Sequence, residues 1–146
     1  EDIALRTRRK PMGRRERWSF FITFATGLIL IVLFYMMLTA YRDFRDNFAA
    51  EIWIALGYGD TPEVFTLAEI PIAVLVLIML GLTMYIRNNS KAFLTYHLLI
   101  ITGVILIGGS TWLFQQNQLD GAYWMVLVGL GLYMGYVPIN SIFLIA

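Results

Sequence analysis

Two arginines, two aspartates and a glutamate crowd into Ala40-Tyr-Arg-Asp-Phe-Arg-Asp-Asn-Phe-Ala-Ala-Glu-Ile-Trp53, directly behind an apolar run long enough to cross a bilayer. Ionised groups placed there either end a span in headgroups and water or line the path of a polar solute. An Arg or Asp at the bilayer centre costs about 2.5 to 3.5 kcal/mol on insertion scales, so charges at depth need a partner or a wet cavity. Continued as a helix, the stretch sets Arg42 over Asp46, Asp43 over Asn47 and Asn47 over Glu51, the spacing at which side chains pair across one turn. Phe44, Phe48, Ile52 and Ala55 fall on a second face. The segment 42–57 therefore reads as an amphipathic helix at the outer surface or beside a cavity.

A second polar group lies in the last apolar run, at Tyr136-Val-Pro138-Ile-Asn140-Ser141. Proline inside a span frees a backbone carbonyl one turn earlier, and broken helices of this kind occur at transporter binding sites. A tolerated kink, with Asn140 reaching the inner headgroups, is the plainer alternative. Arg42, Asp43, Arg45, Asp46, Glu51, Tyr136 and Asn140 are thus the candidates for a solute path or gate.

Other signals point to packing. Gly129-Leu-Gly131-Leu-Tyr-Met-Gly135 resembles a dinucleotide fingerprint, but its last spacing is one residue too long and no strand precedes it. Gly131 and Gly135 instead form a GxxxG face for a neighbouring helix, and Gly103, Gly108, Gly109 and Ser110 offer a similar small surface. His97, the single histidine, reads as an interfacial imidazole bonded to a neighbouring helix. With one histidine and no cysteine, a metal or haem site would need carboxylates that nothing spaces for it, so no metal or cofactor is expected. Asp43 and Asp46 each have an arginine to pair with, and no nucleophile elbow is present. No enzyme is expected.

The elements that must position these residues are membrane spans. The 146 residues are 59% hydrophobic and 14% charged, which defines an integral membrane protein with the lipid bilayer, not nucleic acid, as its partner. Arg6, Arg8, Arg9, Lys10, Arg14, Arg15 and Arg17 all precede the first apolar run. That run is about twice the length of a signal-peptide core and lacks a cleavage site, so it is a retained span. Residues 1–17, interrupted by Pro11 and Gly13, read as a basic cytoplasmic loop ahead of a transmembrane domain at 18–146. Four spans follow, near 18–41, 66–86, 93–114 and 123–146. Thr66-Leu-Ala-Glu69 has the form of a capping box at the start of the second span, where Pro71 fits a first turn. Cations gather in the leader and at Arg87-Asn-Asn-Ser-Lys91, whereas 42–69 and 115–121 carry more Asp and Glu. Both ends are therefore expected on the cytoplasmic side. The expected fold is an all-α bundle of four transmembrane helices with a short outer amphipathic helix.

Arg9-Lys-Pro-Met-Gly-Arg-Arg-Glu-Arg17, Leu38 to Trp53, Phe65-Thr-Leu-Ala-Glu-Ile-Pro71 and Gly129 to Ser141 together resemble an uncharacterised family of bacterial multi-pass membrane proteins. That family is a domain of unknown function whose layout is similar to the major facilitator superfamily. The resemblance implies a bacterial inner membrane location. It also implies that the basic leader corresponds to the central cytoplasmic loop of a longer protein whose second half these spans open. The chain, which starts on Glu1 and stops on an apolar stretch at Ala146, is accordingly expected to be a fragment that packs against missing flanking spans. Where the family continues with an Asp-Arg pair, this sequence has Leu144 and Ile145.

Secondary transport of a small solute is the leading expectation. The alternative is a non-transporting scaffold or assembly factor that docks a partner through the outer amphipathic segment. Arginines turned between the spans favour the first; arginines in bulk water favour the second.

Overall fold

The computed structural model describes residues 11–61, 63–86 and 88–145, and their side chains apart from those of 89 and 140–145. The cations at Arg6, Arg8, Arg9, Lys10 and Arg87, together with Pro62 and the side chains of Asn140 and Ser141, lie outside the described residues. The chain is all-α, in the order α1 (Arg14–Asn47), α2 (Ala49–Ala55), α3 (Glu63–Met84), α4 (Asn89–Gln115) and α5 (Gly121–Ile145). Helices α1, α3, α4 and α5 are each long and apolar enough to cross a membrane.

Two compact units divide inside α1, at Met36 and Met37. From Arg14 to Met36 the first unit is a helix whose apolar side chains, among them Phe20, Ile29, Leu30 and Val32, are exposed. It begins at Arg14, four residues ahead of the expected span, so 14–17 is helix rather than loop. Glu16 is the reason: its Oε2 accepts the Gly13 amide at 2.9 Å, the reciprocal bond of a capping box.

In the second unit α5 is the axis. Of its apolar window 44% is buried, against 17% for α3 and 6% for α4. Glycines make this possible, because in lipid helices associate through close packing rather than through the hydrophobic effect. A methyl at Gly131 would lie 2.7 Å from the Gly103 carbonyl oxygen, and one at Gly103 would lie 2.6 Å from that of Gly131, so α4 and α5 cross backbone to backbone. At Gly135 a methyl would stand 3.1 Å from Leu38 of α1, and at Gly129 it would stand 2.5 Å from Ile72 of α3. Gly108 and Gly109 have nothing within 4 Å of an added methyl, so the close approach on α4 falls at Gly103 instead.

The amphipathic segment is two pieces. α1 runs on through the charged residues to Asn47, and Phe48 (φ −106°, ψ 20°) separates it from the seven-residue α2. Because of that break, Asn47 and Glu51 do not share one helix, and the buried face is not the expected one. Trp53, 2% exposed, packs with Ala68 and Met125, flanked by Ile52 and Leu56, while Phe44 and Phe48 stay exposed with ring centroids 5.0 Å apart. Gly57 (φ 89°) then closes α2: its amide donates to Ile54 O at 3.0 Å and that of Tyr58 to Trp53 O at 2.9 Å. The Tyr58 ring meets Trp53 edge-on at 5.5 Å, completing the left-handed helix stop with its apolar contact.

α3 starts at Glu63, so Thr66 and Glu69 lie inside the helix and do not cap it, and Pro71 is interior. Lacking an amide, Pro71 leaves the Leu67 carbonyl without its helical donor. Local rules hold better elsewhere. Asn88 caps α4 by accepting from the Ser90 and Lys91 amides, Asn117 (φ 57°) ends it, and Asp120 caps α5 by accepting from Ala122 N at 2.8 Å.

Candidate functional site

The last three turns of α1 run antiparallel to α5, with Leu38 at Gly135, Arg42 at Tyr136 and Arg45 at Gly129. Spacings of four and then three residues put all of them on one helix face. Arg42 donates to Asp43 Oδ1 from Nη2 at 2.7 Å and from Nε at 3.2 Å, and its guanidinium carbon stands 4.5 Å from the centroid of the Tyr136 ring. The expected Arg42–Asp46 pair does not form. Each arginine turns toward α5 and takes the carboxylate of the next residue, so Asp46 belongs to Arg45.

Arg45 is the centre of the arrangement. Its side chain is 5% exposed; Nη2 donates to Glu69 Oε1 of α3 at 2.6 Å and, at 3.4 Å, to the Met125 carbonyl of α5, while Nη1 donates to Asp46 Oδ1 at 3.2 Å. Gly129 makes room: a methyl there would lie 2.7 Å from Nη2. One side chain thereby ties three helices. The carboxylates of Asp46 and Glu69 remain 46% and 50% exposed, so the cation is sunk and its anions lead toward the surface. Nε is buried without a hydrogen-bond partner, and so is Thr39 Oγ1.

Glu51 lies exposed on α2, apart from this group, and Asn140 contributes no described side chain. Sequence reasoning missed Glu69 and Gly129. The signal for Glu69 was its setting, a carboxylate flanked by Leu67, Ala68, Ile70 and Pro71 that has to find a cation. His97 Nδ1 donates to Phe93 O at 2.8 Å within its own helix, with the two rings 4.2 Å apart, and not to a neighbouring helix. No group of three His, Cys, Asp or Glu placed to hold a metal occurs among the described residues.

A smaller clasp closes the loops. Tyr58 Oη donates to Asp120 Oδ1 at 2.8 Å, joining the α2–α3 loop to the cap of α5. The Ala122 amide and then the Tyr58 hydroxyl hold the Asp120 carboxyl below the usual carboxylate range, and the same carboxylate pushes the Tyr58 phenol up. Beside it Phe114 and Trp124 stack at 4.7 Å, and Trp124 Nε1 donates to Thr111 Oγ1 at 3.1 Å.

An all-α membrane protein of four candidate spanning helices, tied by a buried arginine between three of its helices, is the class these features define. The chain belongs to a family of unknown function, DUF5690, which matches residues 1–145. No curated protein and no solved structure matches it.

Proposed function

We propose that the chain is part of a major-facilitator-like secondary transporter of a bacterial inner membrane, and that the Arg42–Asp43 and Arg45–Asp46–Glu69 group gates the path of a small solute. The observation that carries this reading is Arg45, an ionised side chain buried between α1, α3 and α5 rather than turned to water. Such a cation pins helices together, and it also suits an exchangeable gate, because a buried pair whose anion is half exposed can be broken from the anion's side. Pro71 and Pro138 add backbone discontinuities to two of the helices involved. Without an ATP-binding motif, coupling to an ion gradient supplies the energy. The chain acts as a carrier and not as an enzyme. The exposed Phe44–Phe48 pair is what favours the docking alternative.

Because the sequence has no cysteine, single cysteines report accessibility cleanly. Tyr136→Cys, in the full chain in sealed vesicles, is exposed to a membrane-impermeant methanethiosulfonate from either side. A gate that opens alternately is labelled from both sides, and the Arg42→Gln, Arg45→Gln double variant shifts the ratio. Labelling from neither side, with the protein folded, overturns the proposal.

A further inference from the structure

We infer that Arg45 anchors a binding site for a small carboxylate or phosphate anion, and that Glu69 occupies the site as a tethered stand-in. The inference rests on the gate reading for what the site serves and names the class of solute it takes.

Guanidinium presents two edges on which a pair of N–H groups lie parallel, and a carboxylate or phosphate matches such an edge with two bonds. On Arg45 Asp46 takes Nη1, Glu69 Oε1 and the Met125 carbonyl take Nη2, and Nε is buried with no acceptor, so neither edge holds an anion by two bonds. Glu69, tethered to α3, makes one bond where a free anion makes two. It also costs little to displace, since its carboxylate is half exposed and regains water on leaving. Gly129 lets the guanidinium approach α5 closely, since an added methyl would stand 2.7 Å from Nη2 and 3.0 Å from the guanidinium carbon. One turn earlier, Arg42 is held over Tyr136 as a second cation. The carboxylates around the pair, Asp43, Asp46 and Glu69, outnumber the arginines, so an anion binds only by exchange with one of them.

The test titrates the full chain in phosphatidylcholine nanodiscs with succinate and with inorganic phosphate, reading heat of binding and the tryptophan-monitored unfolding midpoint. At least one probe binds saturably. Glu69→Gln, which removes the competing charge and keeps the shape, binds it about tenfold more tightly, and Arg45→Lys, which lacks the paired N–H edge, about tenfold more weakly. If neither probe binds Glu69→Gln, the assignment is overturned, whether or not Arg45→Lys folds. It is overturned equally if Arg45→Lys folds and binds as the parent does, or if exchanging the lipid for phosphatidylglycerol abolishes binding of both probes, which would make a lipid headgroup the occupant. Anion binding without two-sided access at Tyr136 leaves this site standing and removes the gate. Two-sided access in a protein that binds neither probe does the reverse.

Discussion

Gly129 and Gly131 sit two residues apart on α5, and a methyl added to either would meet a neighbouring helix at about the same distance. What it meets differs. At Gly131 the obstacle is the Gly103 carbonyl, which is backbone, whereas at Gly129 it is Ile72 Cδ1 and the tip of Arg45, both ends of flexible side chains. Gly131→Ala is therefore expected to destabilise by about 2 kcal/mol or more, since a packed core resists overfilling. Gly129→Ala should cost less than that in a parallel unfolding titration yet weaken probe binding, because it lifts the guanidinium off α5. Charge follows the same logic. Arg45→Met strands two carboxylates that can still reach water, but it unties three helices, and truncating one partner of a buried pair costs about 3 to 5 kcal/mol at most. Glu69→Gln keeps Asp46 on the arginine and half its own exposure, so its cost should be about 1 kcal/mol. Equal losses from the two variants in denaturant titrations would contradict the asymmetry of burial.

At the level of elements, the spans were legible because their apolar runs exceed anything a soluble domain of this size contains, and caps such as Asn88 and Asp120 follow from local chemistry. The amphipathic segment was not. Its pattern was read with a single helical phase over 42–57, but the break at Phe48 resets the phase, and packing of Trp53 against Ala68 and Met125 sets the new one. Glu69 was misread for a related reason. Its spacing from Thr66 satisfies a local rule, while the partner that claims it is 24 residues away in sequence. The Tyr58–Asp120 clasp gives a pH signature between elements. Asp120 is depressed in the fold, so its contribution is present above the unfolded carboxyl's pKa of about 4 and fades as acid carries the pH down through the folded value. Tyr58 is raised, so its contribution holds below about 10 and is lost as the pH climbs through the folded value. Tyr58→Phe should accordingly lower the unfolding midpoint at pH 7, and the difference from the parent should shrink at both acid and alkaline extremes. A difference that is flat with pH would mean the hydroxyl bonds something other than this carboxylate.

For the whole molecule the decisive property is sidedness. The Tyr58–Asp120 bond brings the α2–α3 loop and the α4–α5 turn to one end, and α3, at 22 residues, carries the chain about 33 Å from that end to the α3–α4 loop. That rise matches a hydrocarbon core of about 30 Å, so the two ends of α3 should emerge on opposite faces. α1 is longer, 34 residues or about 51 Å, enough for charged turns at both of its ends to reach or pass the headgroups. By the cation bias, Arg14, Arg15, Arg17 and Lys91 are expected on the cytoplasmic side, and Asp60, Glu63 and Asp120 on the other. Single cysteines at Arg15, Asp60, Ser90 and Gln118, labelled in right-side-out vesicles with an impermeant maleimide, should react as two pairs: Asp60 with Gln118 from outside, and Arg15 with Ser90 only after permeabilisation. Reaction of Arg15→Cys together with Gln118→Cys would remove the alternation of spans.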